Sequence, residues 1–116
     1  MSDVSPYVVE WARLLSTGDF FLAHETLEEH WVDAPEPDRD FLQGLIHLAV
    51  GFLHHTRGNA RGATLQFTKA SKRIEGYPDA YLGVDVAKAR EFLNSLPGRL
   101  EAGEDLKPPE LLLPVG

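Results

Sequence analysis

The segment "FFLAHETLEEHW", Phe20 to Trp31, carries a histidine and carboxylates at helical spacing. At about 100° per residue, Phe20, Ala23, Leu27 and Trp31 line one apolar face. His24 falls inside that face, and Glu28 lies one turn on, at its edge. A buried imidazole needs a partner, because an unpaired buried polar group costs about 1–3 kcal/mol. A second polar row stands in "RDFLQGLIHLAVGFLHHTRG", where Gln43, His47 and His54 stack at spacings of four and seven. Gly44 and Gly51 run beside that row. Each costs a helix roughly 1 kcal/mol relative to alanine, which close approach of another helix would explain. If the helix around His24 is that neighbour, His24 and Glu28 face Gln43, His47 and His54.

Two chemistries fit such a meeting. In one, the groups close a hydrogen-bond network that fixes helix register. In the other, a vertex stays open for a divalent metal ion or a small ligand. His24-Glu25-x-x-Glu28 is similar to the zincin HExxH, with a glutamate in place of the second histidine. His24 and Glu28 could chelate one ion, with His47 or His54 as a third ligand and Glu25 as a general base beside it. A His–Glu pair one turn apart is common by chance, so the closed network carries more weight. No other cofactor is implied. Arg57 and Arg61 flank Gly58-Asn59, where a helix begins and an anion can bind. Pairing with nearby carboxylates is the more common fate of such arginines. Trp11 and Trp31 read as core anchors. His30 and His55 read as surface or boundary residues, and Glu29 as solvated.

These side chains need a framework, and the bulk composition bounds it. The 116 residues suffice for one domain with a modest core. With 43% hydrophobic and 25% charged residues the chain resembles ordinary globular proteins. It has no cysteine, which excludes disulfides, thiolate metal sites and thiol nucleophiles. The net charge of −7 is uneven: residues 1–40 hold ten acidic and two basic side chains, residues 41–76 one and five. Overall acidity argues against a general nucleic-acid binder. No apolar run approaches the roughly 20 residues of a membrane span. The opening "MSDVSPYVVEW" lacks the basic start and apolar core of a secretory signal. A cytoplasmic protein without a membrane segment is expected.

Punctuation by proline, glycine and capping residues predicts five helices. The first runs from Ser5-Pro6 to about Ser16, and the second from Asp19 to about Trp31. The third, about Arg39 to Thr56, follows a possible cap at Asp38 or Asp40 and is apolar round more than half its circumference, the mark of a central helix. The fourth spans about Ala60 to Ile74, and the fifth starts at Asp85 and stops before Pro97-Gly98. Alternation never persists for five positions, so no strand is expected. The fold class is all-α: a single domain, residues 1–97, of helical hairpins packed around a central apolar helix. Residues 98–116 form a Pro/Leu-rich tail expected to dock on the domain or on a partner. "TGDFFLAHETL" and "RGNARGATLQF" echo one another forty residues apart, which reads as a shared packing device at two hairpins.

Three motifs in order carry a family resemblance. They are Ala23-His24-Glu25-Thr26-Leu27-Glu28-x-x-Trp31, Gln43-Gly44-Leu45-Ile46-x-x-Ala49, and Arg57-Gly58-Asn59-x-x-Gly62-Ala63. Residues 17–75 thereby resemble the small bacterial and archaeal proteins grouped as domain of unknown function 309. The resemblance implies an all-helical domain and no particular activity. It marks His24, Glu25, Glu28, Trp31, Gln43 and His54 as motif positions, which with His47 make up the candidate pocket. No P-loop, dinucleotide-binding or nucleophile-elbow motif is present, and no serine stands in a readable constellation with a histidine. The chain thus leans away from an enzyme and towards an interaction or scaffold module, whose partner is an unidentified protein or a second copy. In a homodimer the tail would pack across the partner. A metal-binding protein or metal-dependent hydrolase using His24, Glu28 and His47 or His54 is the alternative.

Overall fold

A computed structural model describes residues 5–114. Its helices are α1 (Pro6–Thr17), α2 (Phe20–Trp31), α3 (Asp38–Thr56), α4 (Ala60–Ile74) and α5 (Val86–Glu101). Pro6 opens α1, and Gly18, at φ 84°, closes it by donating its N–H to Leu15 O while Asp19 N–H reaches Leu14 O. Asn59 and Asp85 cap α4 and α5 by accepting the N–H of Gly62 and Lys88. The third helix is capped differently from expectation. Glu36 accepts the N–H of Asp40, while Asp38 and Asp40 turn to Tyr81 and Arg73 instead.

The helices form consecutive antiparallel neighbours. Phe20 at the start of α2 stacks 5.3 Å from Phe52 near the end of α3. Phe52 also meets Phe67 of α4 and Phe92 of α5, at 5.2 and 5.7 Å. It is fully buried, with Trp11, Phe41, Leu45 and Leu48 around the same core. α1 packs along α2, where Tyr7 stacks on His30 at 4.1 Å. The central position expected for the third helix follows from its composition: nine of its residues are buried.

The close neighbour of the α3 glycines is α4, not α2. A Cβ on Gly51 would lie 2.6 Å from the Phe67 ring, and one on Gly44 2.7 Å from Ile74 Cγ2. Both glycines project to the same side of α3, so one helix, α4, satisfies both.

Two further differences from expectation have physical causes. α5 continues through Pro97 and Gly98 to Glu101. Leu93, Leu96 and Leu100 keep the apolar period across the proline, and their packing outweighs the one lost helical donor. Between α4 and α5, Ala80–Tyr81 (β1) and Val84–Asp85 (β2) pair antiparallel around Leu82-Gly83, both at positive φ as a type I′ turn requires. Two-residue strands are too short to show alternation. Val84 also bridges to Leu112, and Asp85 N–H donates to Leu111 O at 2.7 Å, so the tail lies on this hairpin. Among the described residues no helix is long and apolar enough to cross a membrane.

Candidate functional site

The candidate residues fall into four separate groups. On α2, His24 Nε2 lies 2.8 Å from Glu28 Oε2, and Nδ1 is 3.2 Å from Phe21 O. Both partners are acceptors, and the N–H of a neutral ring can serve one of them at a time. The His24 side chain is 21% exposed and that of Glu28 55%. With Glu25, Glu29 and Val32 they border a shallow depression of about 260 Å3 on the outside of α2.

The second group joins α3 to α4. His47 Nδ1 lies 2.7 Å from Gln66 Oε1, and its Nε2 lies 3.2 Å from Gln43 Nε2. One nitrogen faces an acceptor and the other a donor, which is the pattern of a neutral imidazole. Burial holds the His47 pKa below its usual value, and the charges of Lys69 and Arg73 push the same way against the Gln66 hydrogen bond.

His54 stands apart from both, its Nδ1 3.0 Å from Asn59 Nδ2. It therefore supports the residue that caps α4. Trp31 is only partly buried, and the Arg39 guanidinium lies 4.1 Å above its ring while donating to Val32 O. Trp11, by contrast, is a fully buried core anchor.

The expected meeting of His24 and Glu28 with Gln43 and His47 is not formed by these hydrogen bonds. The α3 polar row turns towards α4 because its glycines do. A ligand set of His24, Glu28 and His47 is thereby split, and among the described residues no three His, Asp or Glu side chains group as metal ligands. Arg57 and Arg61, where an anion could bind, are both exposed, and Asn59 Oδ1, 2.9 Å from Gly62 N, takes one N–H of the first turn of α4.

Sequence reasoning missed Gln66, the partner that completes the His47 chain. Its signal was the Ala63, Phe67, Ala70 and Ile74 period of α4, which marks the face that meets α3 and places Gln66 at its margin. A groove of about 290 Å3 between α4 and α5, lined by Phe67, Leu93, Leu96 and Leu100 among others, contains none of the candidate residues.

The four groups nevertheless share one side of the molecule. α2, α3 and α4 lie side by side. Gln43, His47, Val50 and His54 fall within about 60° on α3, opposite Phe41, Leu45 and Phe52. All four are half-buried. Trp31 reaches the start of α3 at Arg39, with His24 and Glu28 on the preceding turns of α2, and Gln66, Lys69 and Arg73 stand beside His47 from α4.

The sequence pattern of the Domain of unknown function (DUF309) family matches residues 8–65. That span holds every candidate residue from His24 to Arg61. The chain is 31% identical over 112 residues to the uncharacterized protein YpuF of Bacillus subtilis (strain 168), covering 94% of this chain and 62% of that protein. It is 32% identical over 97 residues to an uncharacterized protein of Aquifex aeolicus (strain VF5), covering 83% of this chain and 28% of the other. The chain thus spans less than two thirds of the length of each of these relatives. With half of its residues matched by the family pattern and the three motifs set on α2, α3 and the start of α4, the chain belongs to the domain of unknown function 309 family.

Proposed function

We propose that this domain is a non-enzymatic interaction module whose docking surface is the open side of the α2–α3–α4 layer. One observation carries the reading: α2 presents large apolar side chains to solvent beside the His24–Glu28 pair. Phe21 is 50% exposed, Leu22 52% and Val32 57%. Single exposed apolar residues are ordinary, but Phe21 on the helix and Val32 just past its end, close to the His24–Glu28 pair, with Leu22 exposed as well, have the make-up of a protein contact. The strip supports this use in a second way. The His47 chain and the His54–Asn59 contact hold α3 and α4 in register, so the surface is preformed and costs little ordering on binding.

Site-specific photo-crosslinking in cells tests the reading. A benzophenone amino acid replaces Phe21 in one variant and Glu91, exposed on α5, in another. Discrete protein adducts from position 21 and none from position 91 are expected. No adduct at position 21, or the same adducts from both positions, would overturn it.

A further inference from the structure

The open side of the layer is charged oppositely at its two edges. The charged residues of α2 other than histidine are Glu25, Glu28 and Glu29, all acidic. Those of α4 are Arg61, Lys69, Lys72 and Arg73, all basic. Each edge also carries exposed apolar surface: Phe21 on α2 with Val32 just past its end, and Leu65, 54% exposed, on α4. On α2 the outward order is Phe21, Glu25, Glu28, with Val32 one step past its end; on α4 it is Arg61, Leu65, Lys69, while Lys72 lies by the groove towards α5. Both follow the three- and four-residue steps of a single helix face.

We infer that this face binds a second copy of the chain, with α2 of each copy lying on α4 of the other. The inference rests on the reading of the face as a docking surface and adds the identity of the partner. A two-fold axis parallel to the helices and passing over α3 exchanges the two edges of the layer. It sets the acidic edge on the basic edge twice in one closed dimer. A two-fold axis running across the helices would instead set α2 on α2 and oppose carboxylates directly, which is unfavourable. The charge pattern therefore selects the first arrangement.

Three details agree with it. α2 and α4 have 12 and 15 residues, about 18 and 22 Å at 1.5 Å per residue, so the two stripes match in length. The residues under the axis, Gln43, His47, Val50 and His54, include no permanently charged group, so nothing repels at the centre. Arg39, a cation near the acidic edge, is already held over Trp31. Arg73 is likewise paired with Asp40 in its own chain, which leaves Lys69, the other cation beside His47, to meet the partner's acids.

Sedimentation of the full chain over a range of concentration and salt tests the inference. A dimer that weakens as salt rises is expected. Glu25→Lys, and separately Lys69→Glu, should each raise the dissociation constant about tenfold or more, since the two-fold axis makes each reversal act twice. An equimolar mixture of the two variants should recover the dimer, because one of its two contacts is native and the other is charge-reversed on both sides. Recovery also shows that both variants are folded. A wild-type monomer throughout, variants that dimerise as the wild type does, or a mixture that stays monomeric would each overturn the inference. A monomer whose position 21 still crosslinks to a different protein would remove self-association and leave the docking face standing. Absence of any adduct at position 21 would remove the docking face itself.

Discussion

His47 Nδ1 and Gln66 Oε1 meet 2.7 Å apart across the α3–α4 contact, and Gln43 supplies the donor for the other ring nitrogen. This arrangement uses the neutral ring in full, and protonation would set two donors against each other at Nε2. Burial, with Lys69 and Arg73, depresses the folded-state pKa below the unfolded value of about 6.5. The unfolded chain therefore binds its proton first as pH falls. The contribution of His47 is complete above about pH 6.5 and is lost as pH drops through the lower folded value. Urea denaturation at about pH 7.5 and about pH 5 should show a fall in stability in the wild type. His47→Gln should remove part of that fall, since a neutral amide cannot titrate. Equal falls in the two proteins would show that His47 does not contribute.

Replacing a mid-helix glycine by alanine usually stabilises by about 1 kcal/mol. Gly51→Ala should do the reverse. The new methyl would sit 2.6 Å from the Phe67 ring, which is itself wedged against Phe52. Overpacking of this kind costs about 1–3 kcal/mol. Gly98→Ala in α5, where nothing lies within 4 Å, is the control and should show the ordinary gain. Thermal melting of both variants gives the comparison, and a gain at Gly51 would show that α3 and α4 are not in close contact there.

These two sites show what the sequence made legible and what it did not. The helices are readable because apolar spacing and caps such as Asn59 and Asp85 are local properties. The glycine pair was readable as a close approach, but a glycine carries no address for its neighbour. Taking α2 as that neighbour misdirects the whole polar row, since the side of α3 that meets each helix decides which partner His47 finds. The Tyr77–Tyr81 cluster was invisible for a related reason. Its partners, Pro37 and Asp38, lie some forty residues away, and only the completed fold brings the α2–α3 loop against the β1–β2 hairpin.

That cluster makes its own prediction. Tyr81 donates its phenol to Asp38 Oδ1, and Tyr77 donates to Pro37 O at 2.5 Å. Burial, then the Asp38 contact and charge, raise the Tyr81 pKa well above the usual tyrosine value. Burial and the neighbouring carboxylates raise that of Tyr77 as well. A raised folded-state value means that the stability is present below the unfolded pKa of about 10 and is lost as pH climbs past it. Tyr81→Phe should cost roughly 1.5–3 kcal/mol at neutral pH, the range for a hydrogen bond to a charged group. It should also shallow the alkaline loss of stability. A neutral Tyr81→Phe with an unchanged alkaline limb would show that the phenol is free in solution.

The tail offers the last test, because its contacts are made with the same chain that carries it. His55 Nε2 accepts the N–H of Leu106 at 3.1 Å, and Leu113 N–H donates to Gly83 O at 2.9 Å. Between these two anchors Leu106 and Leu111 are 4% and 2% exposed. A leucine this buried belongs to the core whatever its distance from the helices in sequence. Leu111→Ala should therefore cost about 2–5 kcal/mol, as for other buried leucines. His55→Ala should cost about 1–3 kcal/mol by leaving the Leu106 N–H without its acceptor. Removal of residues 105–116 strips both leucines and the Val84–Leu112 bridge, so it should lower the melting temperature more than either substitution. Because the tail stands on the α1 and hairpin side, away from the open face of α2, α3 and α4, Leu111→Ala should leave self-association at native temperatures unchanged. A Leu111→Ala protein with wild-type melting would show that the tail is not part of the core. One that melts normally yet loses the dimer would place the tail, not α2 and α4, between the two copies.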